Sequence, residues 1–187
     1  MGKLKVIIGI TGASGSIYGS RLIERIAGLK DQVEDCGIIF SDNALSVWHY
    51  EMECFDPSEL PFRVYSADDF FAPMASGSSA YDVMIICPCT MGTLGRVASG
   101  VSDCLMTRAA DVILKERKKL ILVLRETPYN LIHINNMKLL AEAGAIICPA
   151  NPSFYSKPQT ITELIDTVID RVLSQAGFIF DSFHWGK

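Results

Sequence analysis

The chain has 187 residues, a hydrophobic fraction of 49%, a charged fraction of 20% and a net charge of -4. This composition is typical of a folded protein and lacks the basic surface that nucleic acid requires. The N-terminal apolar run is too short for a signal peptide, and no run of about 18 apolar residues could span a membrane. We therefore expect a soluble, cytoplasmic protein whose residues 1–187 form one domain, with no nucleic-acid or membrane partner.

The first predicted elements are a strand, a glycine-rich turn and a helix. KVIIGI (5–10) predicts a buried strand, and leucine and isoleucine at helical spacing predict a helix over about 17–29. They are joined within GITGASGSIYGSRL (9–22), where backbone N–H groups and the Ser14 hydroxyl at a helix N-terminus predict a site for one anion. The alternative is that Gly12 and Gly15 make only a tight turn.

The glycine spacing of this turn does not match short-chain dehydrogenases. Their T-G-x-x-G-x-x-G and T-G-x-x-x-G-x-G patterns need glycine where this chain has Ser16 or Tyr18. The Y-x-x-x-K pattern of those enzymes is also absent from the sequence. A single anion is therefore favoured over a dinucleotide.

The next segments predict a second strand, a helix and a long loop. VEDCGIIF (33–40) predicts the strand, and Ser41 and Asp42 supply residues typical of an N-cap for NALSVWHYEM (43–52). Residues 55–80 are rich in Pro, Ser, Asp and Phe and have little periodicity. A loop of this length is a candidate for a functional segment.

The rest of the chain continues the alternation. Further strands are predicted at 82–88, 120–128 and 145–150, and glycines 92, 95 and 100 follow the first of these strands. Helices are predicted at 104–119, at 136–144 and from Thr160 or Thr162 to about Gln175. Five apolar strands alternating with helices predict a doubly wound α/β fold, with a parallel sheet covered on both faces.

In such a fold, ligands bind beyond the carboxyl ends of the strands. The residues there are small hydroxyl residues, glycines, one arginine and one glutamate, without a nucleophile and base pair. The six cysteines and three histidines have no metal-type spacing, and the cysteines are expected to be reduced. This set predicts a cofactor cradle without a metal.

Several long motifs resemble the flavin prenyltransferase family (UbiX-like). They are TGASGSIYGSRL, FAPMASGSSAYDVMIICPCTMGTL, TRAADVILKERKKLILVLRETP, GAIICPANPSFYSKPQT and FHWGK. The resemblance implies a flavodoxin-like or Rossmann-like three-layer subunit in a homododecamer. It also implies metal-independent transfer of a prenyl group from dimethylallyl monophosphate to N5 and C6 of reduced FMN. The product, prenylated FMN, serves a UbiD-type decarboxylase.

The resemblance also implies site residues. Those for FMN are Gly12, Ala13, Ser14, Ser41, Thr90, Met91, Gly92, Thr93 and Arg125. Those for the prenyl phosphate are Tyr155, Arg171, Lys115 and Arg108. Glu51 and Glu126, with Ser14, match the catalytic positions, while Phe70, where relatives often carry tryptophan, and Trp185 are candidates to shelter an allyl cation.

The chemistry accounts for these residue types. Ionisation of an allylic monophosphate needs cations to neutralise the leaving phosphate, which arginine and lysine provide through charge-assisted hydrogen bonds. A carboxyl group such as Glu126 can protonate the departing oxygen, and either glutamate can accept the flavin C6 proton.

Structural alternatives remain for individual residues and for the function. Glu51 could be a surface residue, Tyr155 and Arg171 could serve subunit contacts, and Arg117, Lys118 and Lys119 are read as a solvated helix end. For the whole protein, the alternatives are an FMN-dependent cysteine decarboxylase and a non-catalytic flavin carrier. The decarboxylase motif is absent, and a carrier has no need for a second set of phosphate-binding cations.

Overall fold

The computed structural model describes residues 2–52, 56–183 and 186. Within them, six strands form a parallel sheet in the order β3-β2-β1-β4-β5-β6. The strands are β1 (Leu4–Ile10), β2 (Val33–Phe40), β3 (Arg63–Tyr65), β4 (Val83–Cys89), β5 (Lys119–Leu124) and β6 (Ile146–Pro149). Long apolar runs form β1, β4 and β5 because helices cover both faces of the sheet.

The strand order reverses between β1 and β4. The chain moves outward from β1 through β2 to β3, then returns to pair β4 with the other side of β1 and moves outward again to β6. Val6 pairs with Val83 and Gly9 with Ile86, so these two strands end side by side. A crevice opens at the carboxyl edge of a sheet at such a reversal, and it is the usual ligand site of this architecture.

Six helices flank the sheet in the described part of the chain. They are α1 (Ser16–Gly28), α2 (Ala44–Glu51), α3 (Met91–Ala98), α4 (Leu105–Lys115), α5 (Leu131–Glu142) and α6 (Ile161–Ala176). Side chains of α1, α2 and α6 share one apolar core with one face of the sheet, while α3, α4 and α5 share a second core with the other face. The predicted doubly wound, three-layer α/β fold is confirmed.

The predicted count of five strands is wrong, because β3 lies inside the segment predicted to be a loop. Its three residues pair with β2 from Gly37 and Arg63 to Ile39 and Tyr65 at the edge of the sheet. A strand of three residues is too short to produce a recognisable alternation of apolar and polar residues. Short 3₁₀ turns at Pro73–Ala75 and Gly77–Ser79 give further order to the same segment.

Two predicted helix starts also differ from the structure. Asn43, rather than Ser41 or Asp42, occupies the N-cap position of α2, where no side chain caps the helix and the Ala44 N–H donates to the Ser41 carbonyl. The helix predicted from residue 136 begins at Leu131, because Asn130 accepts a hydrogen bond from the His133 N–H and caps it. The prediction of Thr160 as a cap is confirmed, since its hydroxyl accepts from the Glu163 N–H.

Candidate functional site

Thr11 joins the ends of the two strands that flank the crevice. Its Oγ1 donates to the Pro88 carbonyl at 2.7 Å and accepts from the Thr90 N–H at 3.0 Å. Both partners lie at or just after the end of β4, and Thr11 is buried. The sequence places Thr11 among the residues that directly follow an apolar strand, but it did not predict that the Thr11 hydroxyl joins two strand ends. Thr11 fixes the position of the two loops that line the crevice.

The turn that follows Thr11 needs both of its glycines for packing. A Cβ on Gly12 would lie 3.0 Å from the Asn43 Cβ. Gly15 has a φ of +104°, and a Cβ on it would lie 2.9 Å from Cδ2 of Tyr18. A backbone with a positive φ is strained for any residue that carries a Cβ, and glycine avoids this strain. The glycines therefore shape the turn, whatever the turn binds.

The N-terminus of α1 contacts an anion that belongs to the protein itself. The Glu51 carboxylate accepts the N–H of Gly15 at 2.8 Å and the N–H of Ser16 at 2.7 Å. Burial tends to raise the pKa of Glu51, but hydrogen bonds from Ser14, Ser16 and Gly15 outweigh burial and lower the pKa. Glu51 is therefore held as a carboxylate at the mouth of the predicted anion site.

Arg125 and Glu126 lie directly after β5, on the same edge of the sheet. The Arg125 N–H donates to the Cys89 carbonyl at 3.3 Å, and a Cβ on Gly15 would lie 3.9 Å from the Arg125 Cγ. The buried Nε of Arg125 has no hydrogen-bond partner among the described residues. A buried donor without an acceptor costs about 1–3 kcal/mol. The Arg125 guanidinium thus suits an anionic ligand that would supply the acceptor.

The segment from Thr90 to Thr93 begins α3 on the other side of the crevice. Thr90 Oγ1 accepts the Thr93 N–H at 3.1 Å and donates to the Thr93 hydroxyl at 3.0 Å. Met91 is buried in the core, so only its backbone is available to a ligand. A Cβ on Gly92 would meet only Thr90 Oγ1, at 3.9 Å, so protein packing leaves open space beside this residue.

Ser41 reaches the same edge from β2. Its N–H donates to the Ile10 carbonyl at 2.9 Å, which fixes it beside the end of β1. The structure therefore brings together all the residues predicted for FMN and catalysis at the carboxyl edge of the sheet: Gly12, Ala13, Ser14, Ser41, Glu51, Thr90, Met91, Gly92, Thr93, Arg125 and Glu126. They come from five separate loops or helix ends.

The residues predicted to bind the prenyl phosphate do not join this group within one chain. Helices α4 and α6 both run from the carboxyl edge of the sheet to its amino edge; Lys119, which begins β5, donates to the Gln175 carbonyl at the end of α6. Lys115 and Arg171 each lie ten residues after the first residue of their helix. This places Lys115 about 15 Å along the axis of α4 from the carboxyl edge. Arg171 instead lines a cavity together with Pro149 and Asn151, at the carboxyl end of β6.

Arg108, Tyr155 and Phe70 occupy other surfaces. The Arg108 Nε donates to the Ala75 carbonyl at 3.0 Å, and its guanidinium also contacts Asp111. The Ser153 N–H donates to the Thr167 hydroxyl, so the segment that carries Tyr155 runs back beside α6. Tyr155 and Phe70 are both exposed. Trp185 lies outside the described residues.

Arg171 lines a cavity of about 610 Å³ between α6 and the segments on either side of it. Arg25, Asp166 and Asp170 also line this cavity, and Arg25 forms an ion pair with Asp170 at 2.7 Å. The cavity is separate from the crevice, since neither the α1 turn nor Arg125 lines it.

The cysteines near the crevice are poor candidates for nucleophiles. Burial raises the pKa of the Cys89 thiol to about 12 and raises that of Cys87 well above its ordinary value. Both thiols therefore stay protonated near neutral pH.

Within the described ranges, no cluster of three or more histidine, cysteine, aspartate or glutamate residues could hold a metal ion. No helix in the same ranges is long and apolar enough to cross a membrane.

Comparison with known proteins identifies the family. Residues 1–173 match the Flavoprotein family. The flavin prenyltransferase UbiX of Methanocaldococcus jannaschii is 42% identical over 186 residues, covering 98% of this chain and 99% of that protein. The chain belongs to the flavin prenyltransferase family. The family predicted from the sequence motifs is confirmed.

Two solved structures are similar to this member of the flavin prenyltransferase family over nearly its whole length. AnUbiX (PadA1), in complex with FMN and dimethylallyl pyrophosphate, is 36% identical with a TM-score of 0.89, covering 99% of this chain and 100% of that chain. A dodecameric FMN-dependent Ubix-like decarboxylase from Escherichia coli O157:H7 is 34% identical with a TM-score of 0.91, covering 98% and 100%.

Proposed function

We propose that this chain is a flavin prenyltransferase, which joins the dimethylallyl group of dimethylallyl monophosphate to N5 and C6 of reduced FMN. The product, prenylated FMN, would serve a UbiD-type decarboxylase. The observation that carries the proposal is the buried, unpartnered Nε of Arg125 beside the crevice between β1 and β4. The relative with 42% identity supports the reaction, and the similar structure with FMN supports the ligand.

FMN would lie across the carboxyl ends of β1 and β4. Gly12, Ala13 and Ser14 would form one wall, and Ser41 and the Thr90 to Thr93 segment would flank it. Glu51 already accepts the N–H groups of Gly15 and Ser16, so we assign the FMN phosphate to Arg125 rather than to the N-terminus of α1. Reduced FMN would supply the electron-rich N5 and C6 atoms.

The two glutamates would have opposite roles. Glu51 is held as a carboxylate by the N–H groups of Gly15 and Ser16 at the mouth of the crevice and would accept the proton from C6. Ser14 hydrogen-bonds the same carboxylate and would hold it in place. Glu126, next to Arg125, would protonate the departing phosphate oxygen.

The phosphate of the prenyl donor would be bound between copies of the chain. Lys115 lies about 15 Å along α4 from the edge that carries Arg125 and Glu126, and the cavity that Arg171 lines includes neither Arg125 nor the α1 turn. We therefore propose that Lys115, Arg108, Tyr155 and Arg171 serve the crevices of neighbouring copies. The similarity to a dodecameric protein supports a homo-oligomer, and a dodecamer is the proposed state.

In this proposal, the residues 1–187 act as one domain in the cytoplasm. Arginine and lysine side chains neutralise the leaving phosphate, so the reaction needs no metal.

The cysteine decarboxylase and flavin-carrier alternatives are not favoured, because the relatives that match over nearly the whole chain are named flavin prenyltransferases.

The test is anaerobic incubation of the protein with reduced FMN and dimethylallyl monophosphate, followed by mass spectrometry of the released flavin. We expect a flavin that is heavier by one C5H8 unit. Unmodified FMN after incubation with competent substrates would overturn the proposed function. A parallel incubation with a cysteine-terminated peptide distinguishes a decarboxylase, which would release carbon dioxide.

A further inference from the structure

The hydroxyl of Thr11 lies just beyond the point where the pairing of β1 with β4 ends. The ladder between these strands reaches Gly9 and Ile86, and β4 then shifts its register against β5 between Ile86 and Cys89. Pro88 lies in this shifted stretch and has no N–H to donate to β1. The two strand ends therefore need another link, and the Thr11 side chain provides one.

This side chain uses its hydroxyl both as a donor and as an acceptor. Thr11 Oγ1 donates to the Pro88 carbonyl at 2.7 Å and accepts the Thr90 N–H at 3.0 Å, and Thr11 is 2% exposed. A hydroxyl can make both kinds of hydrogen bond at once, and a methyl group can make neither. A valine here would fill the space of the hydroxyl and leave no room for a water molecule to replace the two bonds.

The segments on either side of these bonds are the ones proposed to hold FMN. The chain continues from Thr11 into residues 12–14, which we call the first wall of the crevice, and Thr90 begins residues 90–93, the second wall. Thr90 extends the constraint along the second wall, because its own hydroxyl accepts the Thr93 N–H at 3.1 Å and caps α3. One buried hydroxyl thus joins the first wall to the second wall.

The same end of β4 also holds Arg125. The Arg125 N–H donates at 3.3 Å to the carbonyl of Cys89, which lies between the two hydrogen-bond partners of Thr11. The Arg125 side chain carries the buried, unpartnered Nε to which we assign the FMN phosphate. A shift of this strand end would therefore move the guanidinium relative to both walls.

We propose that Thr11 is a positioning residue for FMN, which acts through the two walls and Arg125. This inference rests on the proposed function, because it requires FMN to occupy the crevice. When the Thr11 hydroxyl holds the walls in one arrangement before binding, FMN does not have to order them, and its affinity is higher for that reason. The hydroxyl carries this role, rather than the bulk of the side chain.

Two substitutions separate the hydroxyl from the bulk. Thr11→Val keeps the shape of the side chain and removes both hydrogen bonds, whereas Thr11→Ser keeps the hydroxyl and removes a methyl group. Thr107→Val is the matched control: Thr107 is also 2% exposed, and its hydroxyl likewise donates to a carbonyl and accepts an N–H, both of Cys104. The full chain, freed of FMN, is titrated with oxidised FMN by flavin fluorescence, and thermal unfolding measures the stability of each variant.

We expect Thr11→Val to weaken FMN binding at least about tenfold and Thr11→Ser to bind FMN within about threefold of wild type. Thr107→Val should lose thermal stability as Thr11→Val does, but bind FMN like wild type. Wild-type affinity in Thr11→Val would overturn the inference. Equal weakening by Thr11→Val and Thr107→Val would overturn it as well, because affinity would then follow stability rather than the position of the walls.

Hydrogen exchange of the wild type tests the same inference where Thr11→Val does not fold. We expect the Thr90 N–H, resolved by mass spectrometry with single-residue fragmentation, to be protected before FMN is added, since Thr11 already accepts it. Rapid exchange of this N–H in the FMN-free protein would overturn the inference. A wild type that does not bind FMN would overturn the inference together with the proposed function, whereas FMN binding without prenyl transfer would contradict the proposed reaction alone.

Discussion

Glu51 and Glu126 carry the same carboxyl group in different surroundings. Glu51 accepts two backbone N–H groups at the start of α1, and these bonds favour its ionised form. Glu126 follows Arg125 at the end of β5, and its Oε1 accepts the N–H of Thr127 at 3.1 Å. The structure thus gives different hydrogen-bond partners to two carboxylates that the sequence presented as equivalent candidates.

Replacement of Glu126 tests its role as an acid. Glu126→Gln keeps the size of the side chain but removes the proton donor, so we expect turnover to fall by about 10²–10⁴-fold while FMN binding is retained. Flavin fluorescence titration measures binding, and product mass measures turnover. Glu59→Gln, at an exposed glutamate of a 3₁₀ turn, is the control. Turnover equal to that of the control would remove the assigned role.

At the level of single residues, the sequence located the parts of the crevice but not their contacts. Ser14, Arg125 and Glu126 were predictable because each follows an apolar strand and falls in a family motif. The bond between Glu51 and Gly15 was not, because it joins residues that lie 36 positions apart. Such a contact depends on how α2 packs beside α1, which side-chain periodicity does not encode.

The first turn of α1 is stabilised from another helix. Glu51, the last residue of α2, supplies a negative charge to the N–H groups of Gly15 and Ser16, and α1 has no acidic residue of its own in its first turn. Negative charge at a helix N-terminus interacts favourably with the helix dipole and stabilises the helix. The contact therefore links the stability of α1 to the ionisation of Glu51.

This link predicts a pH-dependent contribution to stability. The pKa of Glu51 is lower in the folded protein than in the unfolded chain, so its contribution is present above about pH 4.3 and is lost as pH falls through the folded-state pKa. We expect Glu51→Gln to lower the free energy of unfolding by about 1 kcal/mol at neutral pH and by less in acid. Urea denaturation across this pH range measures the difference, and a difference that grows in acid would contradict the account.

Gly15, which precedes α1, and Gly28, the last residue of α1, provide a matched pair of substitutions. Gly15→Ala adds a side chain at positive φ and 2.9 Å from Tyr18, so we expect a loss of stability of at least about 1 kcal/mol. Gly28→Ala adds one in the last turn, where nothing lies within 4 Å, and should be neutral or stabilising because alanine favours helices. Thermal unfolding of both variants checks this; equal melting temperatures would show that the turn accepts a side chain at residue 15.

Long elements were predictable from sequence and short ones were not. The strand predicted at 33–40 has the same bounds in the structure, because eight residues give a clear pattern. Strand β3 has three residues, and its place at the sheet edge is determined by pairing with β2. The start of α5 was missed because its first turn is exposed and apolar, which obscures the usual periodicity of a surface helix.

At the scale of the whole molecule, the proposed site residues fall into two separated groups. The crevice holds the residues assigned to FMN and to acid–base chemistry, while Lys115 lies towards the opposite edge of the sheet and Arg171 lines a separate cavity beside α6. A sequence motif orders residues along the chain and does not reveal which copy of the chain they serve. The direction of α4 and the separate cavity beside α6 are the observations behind our proposal that neighbouring copies share the site.

A site shared between copies predicts that two inactive variants can complement each other. Glu126→Gln and Arg171→Gln should each be inactive alone, since one lacks the acid and the other lacks a phosphate-binding cation. When both are expressed together, some crevices combine an intact Glu126 with an intact Arg171 from a neighbour, so we expect product to form. No product from a verified mixed oligomer would indicate that each site is built from one chain.

The central claim is that the protein transfers a prenyl group to reduced FMN. The most direct measurement follows inorganic phosphate release and the mass of the flavin in one anaerobic reaction with dimethylallyl monophosphate. The account predicts one phosphate released for each flavin that gains a C5H8 unit. Phosphate release without a flavin adduct, or neither product in the presence of bound FMN, would contradict it.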